Sequence, residues 1–391
     1  MKTQKLSSII YVAFFLLFGF SGLSQETSNL EKRKFQATLV YPIGSNGQHS
    51  KDIGNDFSYN IIAGHNGSVS VFELGGIYNV VSQDVRGAQI SGFGNMVGGN
   101  VNGFQLAGFL NTNKGRVRGT QIAGFSNLVA EDVRGAQVAG FMNGNKGNVK
   151  GTQVAGFLNL NTGNAEAVQL AGFANVTEGS TKSQISGFLN KADNLSGVQV
   201  AGFVNKAGAV KGVQLGVINV ADSLATGAQI GLVNISKNGF ISLGLESDDN
   251  LPYQITFRSG MDYFYTLLFA GVHADQDYWA AGAGFGSRLF ISPKKTFFFN
   301  PEFRWAQVVD GKIDYDKFSH LTKANINLGY QFNRNFFITA GPTANFFVTN
   351  DLDENGQPVL NLSDNLTIDA KNGGSRQQFW IGYHVGMGFR F

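Results

Sequence analysis

Cysteine is absent from this 391-residue chain, and proline occurs only six times. Without cysteine the chain has no disulfides, no thiolate zinc or iron–sulfur site, no cysteine nucleophile and no lipid-bearing cysteine of a lipoprotein. Charged residues make up only 15%. Beyond position 24 no apolar run approaches the ~20 residues of a membrane-spanning helix. Attachment of the mature chain to a membrane would therefore depend on β-strands.

Residues 1–24 predict a secretory signal peptide. Lys2 and Lys5 precede an apolar run at 9–20, and residues 22–24 have the small-x-small pattern of a cleavage site. The apolar run is shorter than the ~20 residues that a membrane-spanning helix needs. Cleavage before Gln25 leaves basic and acidic residues nearly balanced, so net charge gives no reason to expect a nucleic-acid partner. The mature chain is predicted to be exported.

A short sequence repeat occupies the middle of the chain. Its unit is G-x-Q-[IVL]-[AS]-G-F-x-N, and ten copies plus a worn first copy at 72–79 make eleven units between about positions 70 and 236. The unit is too short for a helix pair, and its glycine and β-branched residues disfavour helix. Each unit is therefore predicted to form one coil of a β-solenoid, with coils stacked ~4.8 Å apart.

Stacked coils place equivalent residues above one another. Glutamine and asparagine are predicted to form amide ladders along the stack, a structural role that needs no ligand. Phenylalanine, together with the aliphatic residue after each glutamine, is predicted to point into the coil. The ladder columns are Gln89, Gln105, Gln121, Gln137, Gln153 and Gln169; Asn95, Asn111, Asn127, Asn143, Asn159 and Asn175; and Phe109, Phe125, Phe141 and Phe157.

A basic column precedes the repeat glycine. It comprises Arg86, Arg118, Arg134, Lys150, Lys182 and Lys211, and it is interrupted by Asn102, Glu166, Ser196 and Thr226. Stacked like charges repel, so a solvated edge is the first interpretation of this column. The alternative is a surface that binds an anionic polymer such as a glycan or lipopolysaccharide.

The C-terminal part alternates with a period of two. Every odd position from Phe379 to Phe391 is apolar, and similar alternation runs through 324–332 and 336–348. Segments of about ten residues with one apolar and one polar or small face are typical of transmembrane β-strands. A soluble sandwich also alternates and remains the alternative interpretation.

These patterns predict an all-β chain: a solenoid of about eleven coils inserted in, or followed by, an antiparallel barrel of 8–10 strands. Residues 35–43 and 57–63 alternate as well, which predicts N-terminal barrel strands before the repeats. The predicted organisation is a signal peptide at 1–24, N-terminal barrel strands at 25–65, solenoid repeats at 66–239 and C-terminal barrel strands at 240–391.

Catalytic and metal sites have little support in the sequence. The five histidines lack metal-ligand spacing, and His384 on the small-residue face of the last strand has no predicted partner for base catalysis. Asp351, Asp353 and Asn355 match the first half of a calcium loop, but its twelfth position is Leu362 rather than glutamate. An Asx-rich turn explains the same residues. The chain is therefore predicted to be non-enzymatic and to need no cofactor.

Two resemblances add to this interpretation. The G-x-Q-x-x-G-F-x-N units resemble the glycine-rich surface-repeat families of bacterial envelope proteins. The C-terminal sequence Gly386-Met387-Gly388-Phe389-Arg390-Phe391 resembles that of outer-membrane β-barrels. The second resemblance implies that Phe389 and Phe391 form the signal read by the barrel-assembly machinery. Together the resemblances cover most of the mature chain, and they imply location and architecture but no activity.

The leading functional hypothesis is a non-enzymatic outer-membrane protein, in contact with outer-membrane lipid, whose solenoid is a spacer or a binding surface. A soluble secreted or cell-surface adhesin with a β-sandwich C-terminal region is one alternative. A small pore or transporter is the other, although eight to ten strands leave an interior largely filled by side chains.

Overall fold

The computed structural model describes residues 30–311 and 317–391, so the predicted signal peptide at 1–24 lies outside the described residues. Within these ranges no helix is long and apolar enough to cross a bilayer. The chain divides into two compact units between Ser186 and Gly187. The predicted fold class is confirmed: the protein is nearly all β, with a parallel solenoid of about eleven turns and a closed eight-stranded antiparallel barrel.

The first unit consists of stacked coils, with a short 3-10 helix at Gly47–Asp52 between its N-terminal strands. From β4 onward, long strands stack on long strands and short strands on short strands, all in parallel, whereas β1 and β2 pair antiparallel. Its strands are β1 (Glu31–Val40), β2 (Ile43–Gly44), β3 (Ile53–Asn66), β4 (Ser68–Gly75), β5 (Tyr78–Val81), β6 (Val85–Ser91), β7 (Gly94–Val97), β8 (Val101–Ala107), β9 (Leu110–Asn113), β10 (Val117–Ala123), β11 (Ser126–Val129), β12 (Val133–Ala139), β13 (Met142–Asn145), β14 (Val149–Ala155), β15 (Leu158–Asn161), β16 (Ala165–Ala171), β17 (Ala174–Thr177) and β18 (Ser180–Ser186).

The coil register keeps like residues in contact. Gln121 pairs with Gln105 on one side and with Gln137 on the other. Because side chains alternate along a strand, a glutamine that points inward brings the valine four positions before it and the alanine two positions after it to the same inner face. Val117 and Ala123 are accordingly buried, and valines from successive coils form one continuous apolar cluster.

Several coils of the first unit contain a glycine with positive φ two positions before the glutamine. These glycines are Gly87, Gly103, Gly119, Gly135 and Gly151. Gly119 has a φ of 134°, and a Cβ atom added there would lie 1.8 Å from the carbonyl oxygen of Gly103 in the preceding coil. Only glycine fits this conformation and this approach.

The prediction that residues 25–65 supply barrel strands is wrong for the described part of that range. β1 pairs in parallel with β3, with Phe35 beside Phe57, and β3 pairs in parallel with β4 and β5 of the first coils. These strands therefore begin the solenoid. Their alternation arises because one face of a solenoid strand is buried and the other is exposed, which produces the same period of two as a barrel strand.

The second unit contains further coils, from β19 to β25, followed by the barrel. The eight barrel strands are β26 to β29, β31 to β33 and β35, and the barrel closes where Leu243 of the first pairs with Phe389 of the last. The strands of this unit are β19 (Leu189–Leu195), β20 (Val198–Ala201), β21 (Val204–Val210), β22 (Val213–Leu215), β23 (Ile218–Leu224), β24 (Ala228–Ile230), β25 (Val233–Ser236), β26 (Phe240–Asp248), β27 (Tyr253–Met261), β28 (Phe264–His273), β29 (Tyr278–Gly286), β30 (Leu289–Phe290), β31 (Phe297–Asp310), β32 (Ser319–Gln331), β33 (Phe336–Thr349), β34 (Ile368–Asn372) and β35 (Ser375–Arg390).

The barrel has two distinct ends. The turn end carries Phe240, the tight turn between Met261 and Phe264, and the C-terminal Phe391. The loop end carries the end of β31 at Asp310, the start of β32 at Ser319 and the long segment 350–367 before β34. Large apolar side chains point outward along the wall, among them Leu245, Ile326, Leu328, Ile381, Tyr383 and Met387.

Candidate functional site

The glutamines form a hydrogen-bonded ladder inside the coils. Nε2 of Gln121 donates to Oε1 of Gln105 at 2.8 Å, and Nε2 of Gln105 donates to Oε1 of Gln89 at 2.7 Å. The side chains are fully buried, and the same bond continues through Gln137, Gln153 and Gln169. Each of these glutamines therefore donates toward the N-terminus of the stack, and the buried ladder presents no face to a ligand.

The asparagines form a second ladder with the opposite direction. Nδ2 of Asn95 donates to Oδ1 of Asn111 at 2.9 Å and to the carbonyl oxygen of Leu106 at 2.9 Å. Asn127, Asn143, Asn159 and Asn175 continue this ladder and are also fully buried. Because a buried amide without a partner is costly, the two ladders fix the coil register more strictly than an apolar core alone would.

Glu73 ends the glutamine ladder at its N-terminal side. It occupies the glutamine position of the worn first copy, pairing in register with Gln89, whose Nε2 donates to Oε2 of Glu73 at 2.8 Å. Asn60 and Asn66 donate to its other oxygen at 2.9 and 2.5 Å. These three neighbours all donate to the carboxyl oxygens of Glu73. Burial nevertheless raises the pKa of Glu73 from 4.5 to about 7, although these hydrogen bonds oppose the shift.

We expect the stability of the first coils to fall as the pH rises from about 4.5 to about 7. The folded state keeps the Glu73 proton to a higher pH than the unfolded state does. The resulting stabilisation is therefore fully present below the unfolded pKa of 4.5, and it is lost as the pH rises to the folded pKa of about 7. The loss is on the order of 3 kcal/mol. Native-state hydrogen exchange on the full chain, corrected for intrinsic rates, measures it.

The control is Glu73→Gln, which does not titrate. Its stability should be flat across the interval in which Glu73 titrates. An unchanged slope in Glu73→Gln would show that another group causes the pH dependence.

The phenylalanine column lies on the outside of the coils, so the prediction that it points inward is wrong. Phe157 is 40% exposed, and Phe109, Phe125 and Phe141 are partly buried. Adjacent rings stack in parallel, with centroids 4.7 Å apart between Phe109 and Phe125. The physical reason is parity: glutamine and the alanine two positions later face inward, so the aliphatic residue between them faces outward, and the phenylalanine lies on the turn that follows.

This arrangement gives the coils an apolar edge. We define the apolar edge as the six positions that follow each repeat glutamine. None of the ten copies has a charged residue in these six positions. In the first unit, Leu110 and Met142 of the edge pack with Phe109 and Phe141 and with the neighbouring Leu128. Sequence reasoning missed the edge, although the absence of charge from these positions is visible in the repeat.

The opposite edge of the coils is charged. In the first unit, the basic side chains of the predicted column are exposed. One of them, Lys150, lies 3.1 Å from Glu166. Arg116 likewise pairs with Glu131 at 3.2 Å. A shallow pocket of about 350 Å³ is lined by Arg134 and Lys150 but also by Asp132 and Glu166. The two signs of charge alternate here, as on a solvated surface.

Ion pairs fill the centre of the barrel. Nε of Arg258 lies 2.7 Å from Glu302, and Arg304 lies 2.8 Å from Glu246. Arg258 also contacts Glu246, Arg304 contacts Glu302, and toward the loop end Lys323 contacts Asp248. All of these side chains are buried. Two positive and two negative groups in the central cluster balance each other, so the cluster fills the interior without a net charge from these four residues.

Apolar layers close the barrel on both sides of the ion pairs. Near the turn end, the guanidinium of Arg288 lies over the rings of Phe298 and Phe337, at 4.6 and 4.8 Å. Near the loop end, Trp380 and Phe347 pack with Leu360 and Leu362 from the long connection. The interior of the barrel is therefore packed like a core.

The histidines are not gathered into a metal site in the described residues. His384 is fully buried in the barrel, where Nε2 lies 3.3 Å from Glu246 and Nδ1 lies 3.1 Å from Asn327. Within residues 30–311 and 317–391, no group of three or more histidine, aspartate or glutamate side chains could hold a metal ion. A substrate in solution has no access to His384.

The calcium candidates take part in local turns. Oδ1 of Asp353 accepts the backbone N–H groups of Asn355 and Gln357 at 2.9 and 2.8 Å, as in an Asx turn. Asp351 accepts a hydrogen bond from Lys317 at 2.7 Å. Asp351 and Asp353 therefore each have a hydrogen-bond partner within the protein.

The terminal phenylalanines lie on the outer wall at the turn end. Phe389 is outward-facing and packs edge-on against Phe391, which is 74% exposed. The backbone N–H of Phe391 donates to the carbonyl oxygen of Ile241 at 2.9 Å, which attaches the last residue to the first barrel strand. A cleft of about 740 Å³ beside Phe391 is lined by Lys294, Lys295 and Arg334, among others.

Comparison with known proteins found no match: no family model, no curated protein and no solved structure matches this chain. Its function is therefore inferred from the geometry described above.

Proposed function

We propose that this protein is a non-enzymatic outer-membrane protein whose barrel spans the lipid and whose solenoid is a spacer or binding surface. The observation that carries the proposal is the inverted polarity of the barrel. Its wall exposes Leu245 and Met387, whereas Arg258, Glu302 and Lys323 are buried inside. A soluble barrel of this size would expose a continuous apolar surface to water, which folded soluble proteins avoid. Hydrocarbon around the wall removes that cost.

The connections favour one orientation. The two ends of the barrel sequence, Phe240 and Phe391, lie at the turn end, where Met261 and Phe264 flank a tight turn. Outer-membrane barrels have short periplasmic turns and longer outside loops. The turn end therefore belongs in the periplasm, together with the coils that precede Phe240. There the exposed Phe391 is available to the barrel-assembly machinery.

The alternatives receive less support. A β-sandwich has open sheet edges, whereas here Ser242–Asp248 of the first barrel strand pair with His384–Arg390 of the last. A pore needs an open interior, whereas ion pairs and apolar layers occupy this one. Steady ion conductance through planar bilayers would favour the pore. An anionic glycan or lipopolysaccharide on the basic column remains a prediction.

The test is quenching of tryptophan fluorescence by brominated lipid. All three tryptophans, Trp279, Trp305 and Trp380, lie in barrel strands, and the first two face outward. In vesicles with bromine on the acyl chains we expect strong quenching relative to unbrominated vesicles. A soluble adhesin would show none.

A further inference from the structure

The apolar edge of the coils has the composition of a lipid-contact surface. Charged residues are absent from its six positions in every copy, whereas the opposite edge carries arginine, lysine, aspartate and glutamate. On the edge, Phe157 of the first unit and Phe203 of the second are each about two-fifths exposed. A soluble solenoid has no reason to keep charge away from the same six positions of every coil, and apolar side chains exposed in register mark a contact with another apolar phase.

In the second unit the barrel wall takes the place of the next coil. The asparagine ladder runs from Asn205 to Asn219 and on to Asn234, with donor–acceptor distances of 2.9 Å. Nδ2 of Asn234 then donates to Oγ1 of Thr266 at 2.6 Å, and Thr266 donates to the carbonyl oxygen of Gly231 at 2.7 Å. Thr266 belongs to the outward-facing row of β28, together with Leu268. The coils of this unit therefore stack against the outer wall of the barrel, close to its turn end.

At this junction the apolar edge and the barrel wall share one groove. The groove has a volume of about 370 Å³. Leu215, Ile230 and Leu232 of the edge line one side, and Leu268 and Ala283 of the wall line the other. Its lining includes no charged residue. The apolar surface of the barrel wall is therefore continuous with the apolar edge.

We propose that the apolar edge of the coils lies in the hydrocarbon of the membrane leaflet. The occupant of the edge and of the junction groove is the acyl-chain region of the leaflet. Lys206, exposed beside the edge, is placed to reach phosphate headgroups by extending its aliphatic stem. This inference rests on the proposed function, because it requires the barrel to be surrounded by lipid. It assigns the solenoid a role as a membrane-lying platform whose charged edge faces the aqueous phase.

Site-directed spin labelling tests the proposal on the full chain in phospholipid vesicles. Because the native chain has no cysteine, single cysteines can be introduced without background. Phe203→Cys and Phe157→Cys place nitroxides on the apolar edge, and Lys211→Cys and Arg134→Cys are the matched positions on the charged edge. Leu245→Cys reports the barrel wall. Oxygen, which concentrates in hydrocarbon, and a water-soluble nickel complex are the two relaxation probes.

We expect the labels at 203, 157 and 245 to be accessible to oxygen and protected from nickel, and those at 211 and 134 to show the reverse. If the label at 245 is in lipid but either edge label is accessible to nickel, the solenoid does not lie in the membrane and the inference fails alone. If the label at 245 is itself accessible to nickel, the proposed function fails. Edge labels shielded from both probes would indicate contact with protein, such as a second copy of this chain, and would also overturn the inference.

Discussion

Replacing Arg304 with methionine is expected to destabilise the barrel by about 3–5 kcal/mol. The guanidinium lies between Glu246 and Glu302 in a fully buried cluster. Methionine is also long and unbranched but carries no charge, so two carboxylates would remain inside a closed barrel with Arg258 as their nearest cation. Removing one partner of a buried charge cluster is costly because the remaining charge has no water to solvate it. Urea unfolding of the vesicle-reconstituted protein measures the loss.

The double variant Arg304→Met with Glu302→Gln is the control for charge balance. It removes one positive and one negative group, so it should recover at least half of the lost stability. A double-mutant cycle isolates this interaction from the change in packing. If Arg304→Met unfolds within about 1 kcal/mol of the native protein, the ion pairs do not hold the interior together.

Replacing Gly119 with alanine is expected to disrupt the stack of coils around it. The added Cβ would lie 1.8 Å from the carbonyl oxygen of Gly103, at a φ of 134° that alanine rarely adopts. Neighbouring coils would have to separate, and the 2.8 Å bond between Gln121 and Gln105 would lengthen. We expect a loss of about 3 kcal/mol or more. Hydrogen exchange of the amides between 101 and 139 measures it.

Gly144→Ala is the matched control in the same coils. Its Cβ would meet only the flexible ends of Leu128 and Met142, at 3.0 and 3.3 Å, and its φ is not positive. The cost should stay below about 1 kcal/mol. If the amides of the two alanine variants were equally protected from hydrogen exchange, the tight coil-to-coil approach at Gly119 would be contradicted.

The architecture can be predicted from the sequence because the chain contains two clear periods. A short unit that recurs at nearly constant spacing requires stacked coils, and alternation from Phe379 to Phe391 requires a strand with one apolar face. Alternation does not encode strand partners, so residues 35–43 and 57–63 have the same pattern as barrel strands although they belong to the solenoid. Their parallel pairing with the first coils depends on tertiary packing.

The functional surface is harder to predict than the fold. If apolar residues are expected inside, Phe125 is predicted to lie in the core. In the structure Phe125 lies outside, and the polar Gln121 and Asn127 are fully buried. Amide ladders can occupy an interior only when every amide finds a partner, and that condition depends on the neighbouring coil. The ion pairs of the barrel are likewise absent from the sequence pattern. Arg258 bonds to Glu246 on the neighbouring strand β26 and also to Glu302 on β31, and no sequence spacing brings all three together.

The position of the barrel wall in lipid is tested most directly by tryptophan quenching with two variants. Trp380→Phe leaves only Trp279 and Trp305, which are 37% and 47% exposed on the wall, whereas the double variant Trp279→Phe with Trp305→Phe leaves only the buried Trp380. In vesicles brominated on the acyl chains, we predict strong quenching of the first variant and weak quenching of the second. Absence of quenching in the first variant, with the protein folded and bound to the vesicles, would contradict a membrane-spanning barrel.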